Sequence, residues 1–292
     1  MNHPRIVAIV QARMASRRLP GKILADIAGE PMLRRVVERL RRAKSVDEVV
    51  VATTLDPADD ETEAFCQKRN YPSTRGDVHD VLDRCYQAAR LYRAEVIVRI
   101  TADCPVIDPN LVDQAVSAFL GYSPGGKPPG ESTAGKFAYD FLANRLPPPW
   151  GRSYPIGLDT EVCAFEGLER AWSEATEPHQ REHVMPYLYE GIPPEALRPF
   201  PQPVESPTIA QAISPRGFRV GLLHHYPDYG WMRWTVDTAE DLELLRLIYA
   251  RFDGRDDFSW LEVLDLLQRE PGLVEINAAV IHKHYRDIDE RR

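Results

Sequence analysis

The residues best suited to chemistry lie in one short basic segment and at two isolated carboxylates. From Gln11 to Lys22 the chain reads QARMASRRLPGK, with Arg13, Arg17, Arg18 and Lys22 and no acid until Asp26. Four cations within ten residues make a local positive patch. Fixed cations beside backbone N–H groups suit a polyphosphate. The segment is neither a Walker loop, since GxxxxGK[ST] is absent, nor a GxGxxG turn. Spacing alone leaves a solvated basic loop open as the alternative. Asp103, in RITADCP, and Asp237, in WTVDTAE, form the second feature. Two carboxylates at neighbouring strand ends can share one Mg²⁺ with nucleotide phosphates, because magnesium takes one or two carboxylates plus phosphate oxygens and water. Taken singly, Asp103 also reads as a turn residue and Asp237 as a helix cap. The joint occurrence with the basic loop is what points to a metal-assisted nucleotide site.

Such residues need a scaffold that brings strand ends together. The first part of the chain alternates strands and helices, the pattern of βαβ units on a parallel sheet. Strands are predicted at Ile6 to Val10, Glu48 to Thr53 and Val96 to Ile100, where Arg99 interrupts the apolar run. Helices are predicted over Pro31 to Ala43, Asp60 to Arg69, Val81 to Arg93 and Asn110 to Phe119, the last after the Asp108-Pro109 start signal. The basic loop and Asp103 then both follow strands, at the edge where open α/β sheets bind ligands. Residues 121–135, 146–155 and 193–215 are rich in proline or glycine and read as long loops or irregular arms. Between them a strand is expected at Gly157 to Ala164 and a helix at Phe165 to Ala175. Helices return at Ala239 to Phe252 and Trp260 to Arg269.

Composition narrows the function classes. With 36 basic and 44 acidic residues the net charge is −8, so no global basic footprint for nucleic acid or an anionic membrane exists. Cys66, Cys85, Cys104 and Cys163 form no CxxC pair, which argues against a zinc ribbon or disulfide framework. No signal peptide or membrane-length apolar run is visible, and a soluble cytoplasmic protein is expected. His224-His225 and His282-Lys283-His284 read as surface or packing histidines, and Trp231 and Trp234 as core or interface aromatics. Of the 25 prolines, most fall outside the chemistry-bearing segments, which marks the middle as the divergent part.

The strings QARMASRRLPGKIL, EVVVATT, GDVHDVLDRCYQAA, VIVRITADCPVIDPNLVD, GLDTEVCAFEGLERAW, REHVMPYLY and RWTVDTAEDLELL follow one another in order. Together they resemble the cytidylyltransferases of spore-coat polysaccharide biosynthesis, relatives of the CMP-ulosonate synthetases for sialic acid and Kdo. The resemblance covers about residues 5–120, 152–190 and 231–250. It implies an α/β fold: a Rossmann-like nucleotidyltransferase sandwich, of the nucleotide-diphospho-sugar transferase kind, with a mixed, mostly parallel sheet. It implies one domain over 1–292, with 121–230 inserted as an acceptor and dimerisation region. The activity implied is Mg²⁺-dependent transfer of CMP from CTP to an acidic sugar or similar small acid, with release of pyrophosphate, in a homodimer. By the same resemblance Gln11, Ala12, Arg13, Ser16, Arg18, Lys22, Asp80 and Asp103 would bind nucleotide. Lys22, Arg18 and Asp103 would be catalytic, and Asp103 and Asp237 would bind Mg²⁺. Tyr154, Asp159, Glu161, Arg181, Glu182 and His183 would face the acceptor.

Two departures stand out. Ala15 replaces the usual glycine of the loop, and its methyl group limits close backbone approach to phosphate. Ile156 replaces a carboxylate in the stretch Tyr154-Pro155-Ile156-Gly157-Leu158-Asp159. Alternatives are a sugar-transferring enzyme that uses a nucleotide-sugar donor and a non-catalytic nucleotide-binding homologue. The intact cationic loop favours the triphosphate reading, because a triphosphate needs more positive charge than a diphosphate sugar. No physical feature of the sequence distinguishes CTP from other triphosphates.

Overall fold

The computed structural model describes residues 3–122, 136–199 and 207–281. Eight strands form one sheet: β1 (Ile6–Gln11), β2 (Glu48–Thr54), β3 (Ser73–Gly76), β4 (Val96–Thr101), β5 (Phe141–Ala143), β6 (Glu161–Ala164), β7 (Thr208–Ile213) and β8 (Arg219–His224). Their spatial order is β7-β8-β5-β6-β4-β1-β2-β3. The pairs β1–β2, β1–β4, β2–β3 and β5–β8 are parallel, while β6 runs antiparallel to β4 and β5, and β7 to β8. The sheet is mixed and mostly parallel. Its central strands are buried on both faces, as continuous Val/Ile runs predict.

Helices cover both faces. On one side α1 (Met32–Leu40), α2 (Asp60–Arg69), α4 (Pro109–Leu120), α8 (Ala239–Arg251) and α9 (Trp260–Arg269) pack on Ile6, Ala8, Val10, Val49 and Val51. On the other, α3 (Val81–Leu91), α5 (Phe165–Glu174) and α7 (Pro186–Tyr189) pack on Val7, Ile9, Val50 and Ala52, and the short α6 (Pro178–His183) lies against α3. Alternate residues of one strand therefore feed two cores, which is the period-2 geometry of a strand.

The middle of the chain differs from its expected loop character. Residues 121–230 supply β5, β6, β7 and β8 to the same sheet, and 193–215 contains β7. Arg145–Leu146 and Gly151–Arg152 form a small antiparallel ladder within the stretch read as a loop. The strand expected from Gly157 begins only at Glu161. Gly157 sits at φ +106, and a Cβ there would lie 2.6 Å from the Trp234 backbone, so only glycine fits. The Asn144 amide then donates to the Leu158 carbonyl at 2.7 Å and accepts from the Thr160 N–H at 2.8 Å. That tie keeps the chain out of ladder geometry until Glu161. Trp234 is buried, whereas Trp231 is 66% exposed. His224 is buried and shares a hydrogen bond with the Leu197 carbonyl, and burial lowers its pKa. Residues 282–284 lie outside the described residues.

Candidate active site

The basic loop leaves β1 after Gln11 and is tied down at both ends. Asp59, the buried last residue of the short helical turn Pro57–Asp59 before α2, accepts the Met14 N–H at 2.7 Å, and the Gly21 N–H donates to the Met14 carbonyl at 3.0 Å. Gly21 takes a left-handed conformation at φ 72, which turns the chain so that Lys22 points inward. The second tie is at the other end of the site. The Thr235 hydroxyl and the Val236 N–H both donate to the Asp103 carbonyl, at 3.0 and 2.9 Å. This places Asp237 beside the end of β4, where Asp103 sits.

Lys22 is where these elements meet. Its Nζ donates to Asp103 Oδ2 at 2.8 Å, Asp237 Oδ1 at 2.9 Å and the Val236 carbonyl at 2.7 Å. Arg18 Nη2 reaches Asp237 Oδ2 at 2.7 Å, and Arg233 Nη2 reaches the same oxygen at 2.7 Å. Burial alone would lower the Lys22 pKa, but Asp103 and Asp237 reverse this and hold it above its ordinary value. Burial would likewise raise Asp237, yet Lys22, Arg233 and Arg18 hold it well below the usual carboxylate range. The helix-cap alternative for Asp237 does not describe its side chain. Thr238 is the N-cap of α8, and its partner in the capping box is Asp241, whose buried carboxylate also fixes Arg233 at 2.8 Å.

Lys22, Arg18, Asp103 and Asp237 line one cavity of about 560 Å³ at the carboxyl ends of β1 and β4. Gln11, Arg13, Ser16, Arg18 and Lys22 form its loop wall together with Asp103 and Asp237, and Ala15 also faces it. Asp159, Glu161, Glu182 and His183 form the opposite wall, with Ile156 beside them. Four expected residues lie outside the lining. Ala12 is 1% exposed and its N–H donates to the Ala52 carbonyl. Tyr154 is buried against Trp260 and His225, with its hydroxyl 3.4 Å from Gln114 Oε1. Asp80 and Arg181 pair with each other, Nη2 to Oδ2 at 2.5 Å, while Asp80 caps α3 through the Asp83 N–H at 2.9 Å. The last pair thus joins α3 to α6 behind the wall.

The wall opposite the loop contains three arginines that spacing did not single out as site residues. Arg99 on β4 pairs with Glu161 on β6 and donates to Gln11 Oε1 at 2.6 Å. Arg152 and Arg145 both bind Asp159, at 2.6 and 3.2 Å. Burial depresses the Arg152 pKa, whereas at Arg145 Asp159 and Glu161 outweigh burial and raise it. The one legible sign was Arg99 itself, a charge inside an apolar strand. Arg145 and Arg152 show themselves only through the ladder that pairs them. Cys104 also lines the cavity, and burial raises its thiol pKa well above the ordinary value. Among the described residues no group of three or more His, Cys, Asp or Glu gathers as a metal site.

A family profile described as cytidylyltransferase matches residues 7–253. The chain is 30% identical over 271 residues to the spore coat polysaccharide biosynthesis protein SpsF of Bacillus subtilis (strain 168), across 91% of this chain and 95% of that protein. It is 36% identical over 257 residues to the 3-deoxy-manno-octulosonate cytidylyltransferase of Anaeromyxobacter sp. (strain K), across 84% and 98%. A solved cytidylyltransferase from Leptospira borgpetersenii is similar with a TM-score of 0.76 and 29% identity, covering 96% of this chain and all of that one. The family resemblance expected from the motifs and the α/β sandwich are both borne out.

Proposed function

The chain belongs to the cytidylyltransferase family, and from that premise we propose that it transfers CMP from CTP to an acidic sugar or similar small acid, with Mg²⁺ as cofactor and release of pyrophosphate. The observation that carries this reading is the convergence of Asp103, Asp237, Lys22 and Arg18 at one end of a cavity whose other wall is rich in arginine. Asp103 and Asp237 offer only oxygen donors toward one point already occupied by an ammonium group, a donor set that suits a hard divalent cation. They would hold the Mg²⁺, whose charge when bound neutralises and orients the phosphates. An acceptor oxygen forms a bond to the α-phosphorus as the bond to pyrophosphate breaks, and negative charge grows on the departing oxygens. Arg18 and Lys22 would stabilise that charge, so catalysis would rest on positioning and electrostatics without a protein nucleophile.

The acidic acceptor is supported by Arg145 and Arg152, which meet at Asp159 on the wall facing the loop. The paired Nη edge of Arg152 is taken by Asp159, so the attraction for an acid comes from the positive charge that the two guanidinium groups bring to this wall. The relative named as a 3-deoxy-manno-octulosonate cytidylyltransferase is, by that name, a sugar-acid enzyme. The test is a panel of nucleoside triphosphates against candidate sugar acids with Mg²⁺, read as pyrophosphate release. CTP with at least one acid should give turnover; absence of pyrophosphate across the whole panel overturns the reading. A cytoplasmic homodimer built through 121–230 completes the proposal. The β7 edge supports it, since that strand pairs on one side only and leaves Ile213 exposed. No helix among the described residues is long and apolar enough to cross a membrane.

A further inference from the structure

The Lys22 ammonium group stands where a cation shared by Asp103 and Asp237 would have to stand. Its Nζ is 2.8 Å from Asp103 Oδ2, 2.9 Å from Asp237 Oδ1 and 2.7 Å from the Val236 carbonyl, so its three donors are all used. The other oxygen of Asp237, Oδ2, accepts from both Arg18 and Arg233 at 2.7 Å. Both oxygens of Asp237 and one of Asp103 are therefore taken before any ligand arrives. Lys22 is 9% exposed and its backbone is fixed. Gly21 precedes it in a left-handed turn, Lys22 opens the short helical turn Lys22–Leu24, and Ile23 beside it is buried. That leaves the flexible side-chain stem as the part able to move.

Ion pairs join Lys22, Arg18 and Arg233 to Asp103, Asp237 and Asp241, three charges of each sign. The cluster is neutral as it stands. A divalent cation added to it would leave a surplus of two positive charges beside Lys22, in partly buried surroundings where water screens little. The cation must therefore expel the ammonium group, and an ammonium group expelled alone loses three acceptors at once. A polyphosphate removes both obstacles together. It supplies the negative charge that balances the cation, and it gives Lys22 and Arg18, which share the loop, new acceptors. Arg233 behaves differently. It is 7% exposed and is also held by buried Asp241 at 2.8 Å, so it stays and keeps Asp237 in place.

We propose that Lys22 closes the metal site of the free chain and that a polyphosphate opens it by drawing Lys22 and Arg18 off Asp237, so that divalent metal and nucleotide bind with strong positive coupling. The proposal rests on the reading of Asp103 and Asp237 as the residues that would hold Mg²⁺, but its readout is metal binding without substrate, so it and the activity can fail separately. Mn²⁺ binding to the whole chain is followed without nucleotide by the paramagnetic resonance signal of the free ion. Lys22→Met should bind Mn²⁺ about 10- to 100-fold more tightly than the wild type, the range of an ordinary coupling free energy. Arg18→Met removes the same charge from Asp237 without vacating the shared point, and should change Mn²⁺ affinity by less than about threefold. No gain in Lys22→Met, or an equal gain in both variants, overturns the proposal. Should Lys22→Met fail to fold, the wild type decides through the side-chain ammonium NMR signal of Lys22. Mg²⁺ alone should leave that signal in place, and CTP with EDTA should move it. A signal that Mg²⁺ shifts without nucleotide, or that bound CTP leaves unmoved, also overturns the proposal. A chain that binds no triphosphate fails the proposed function instead, and the Lys22→Met comparison, which needs no nucleotide, still judges the closure.

Discussion

On the loop wall of the cavity one ammonium group serves two carboxylates, whereas on the facing wall arginines in strand and ladder grip Glu161 and Asp159. Lys22 divides its three donors among Asp103, Asp237 and a carbonyl, and Arg18 reaches Asp237 from the same loop. Opposite, Arg99–Glu161 is fixed in the register of β4 and β6, and Arg152 and Arg145 hold Asp159 from the two strands of one ladder. Lysine is a point charge on a flexible stem and can trade partners; a guanidinium fork holds a set geometry. On the proposed function the loop wall would serve exchange, its lysine passing from carboxylates to incoming phosphates, a role the lysine stem permits. The facing wall is built in advance and keeps its shape.

The contrast breaks most visibly at Lys22. In Lys22→Ala the loop wall loses its shared cation, and kcat should fall by about 10²- to 10³-fold, the usual cost of removing one electrostatic stabiliser of a transition state. The same change leaves Asp103 and Asp237 close together without the ammonium group between them. Without divalent metal the variant should lose about 3 kcal/mol of stability, as expected when one partner of a buried ion cluster is removed. Adding Mg²⁺ should recover much of that loss in thermal melts, and more than it stabilises the wild type. Turnover within twofold of wild type would show that the loop wall is not where phosphate charge is met.

The facing wall should respond to substrate and not to chemistry. Arg152→Ala leaves Asp159 with Arg145 alone and removes one guanidinium from the cavity lining. The expected result is an acceptor KM raised about tenfold, the worth of a charge-assisted hydrogen bond, with the KM for CTP nearly unchanged. Arg152→Lys should recover little, because an ammonium group cannot reproduce the bidentate geometry. Steady-state kinetics with each substrate varied in turn separates the two walls. If Arg152→Ala raises the KM for CTP instead, the walls are not divided by substrate.

The same division explains what the sequence made legible. The loop wall is local: four cations follow a β-branched run, and each aspartate follows an apolar segment, so residue type and position suffice. β1, β2 and β4 are continuous apolar runs because both faces are buried, and their helices announce themselves by period and by caps such as Asp108. The facing wall is tertiary. Asp159 meets Arg145 and Arg152 only because Asn144 and Gly157 bend the chain, and no short-range pattern encodes that. β3 reads STRG, with no apolar residue, since it is an edge strand held by backbone bonds to β2. β5 spans three residues, and β7 hides in a proline-rich stretch because an edge strand half-open to solvent needs no apolar alternation. Tyr154 illustrates the limit at a single residue. Its position in the motif suggested the acceptor, but its ring packs on Trp260 and its hydroxyl faces Gln114.

The smallest effect is expected away from both walls, where Asp140 clamps β5 to β8. Its carboxylate accepts from the Arg219 N–H at 2.7 Å, Nε at 3.1 Å and Nη2 at 2.8 Å, and the Asp140 N–H donates to the Arg219 carbonyl at 2.9 Å. Burial would raise the Asp140 pKa, but these hydrogen bonds and the Arg219 charge bring it below its ordinary value. A depressed carboxyl pKa adds stability that is present above the unfolded value and is lost as pH falls through the folded one. The pair is partly solvated, so screening keeps its worth under about 1 kcal/mol. Asp140→Asn should therefore cost less than about 1 kcal/mol in urea melts at neutral pH, and the gap to wild type should close as the pH is taken below about 4. Its kcat and both KM values should stay close to the wild type, because neither Asp140 nor Arg219 lines the cavity. A gap that persists unchanged in acid would mean that the carboxylate charge is not what Arg219 holds, and that shape alone joins the outer strands to the sheet.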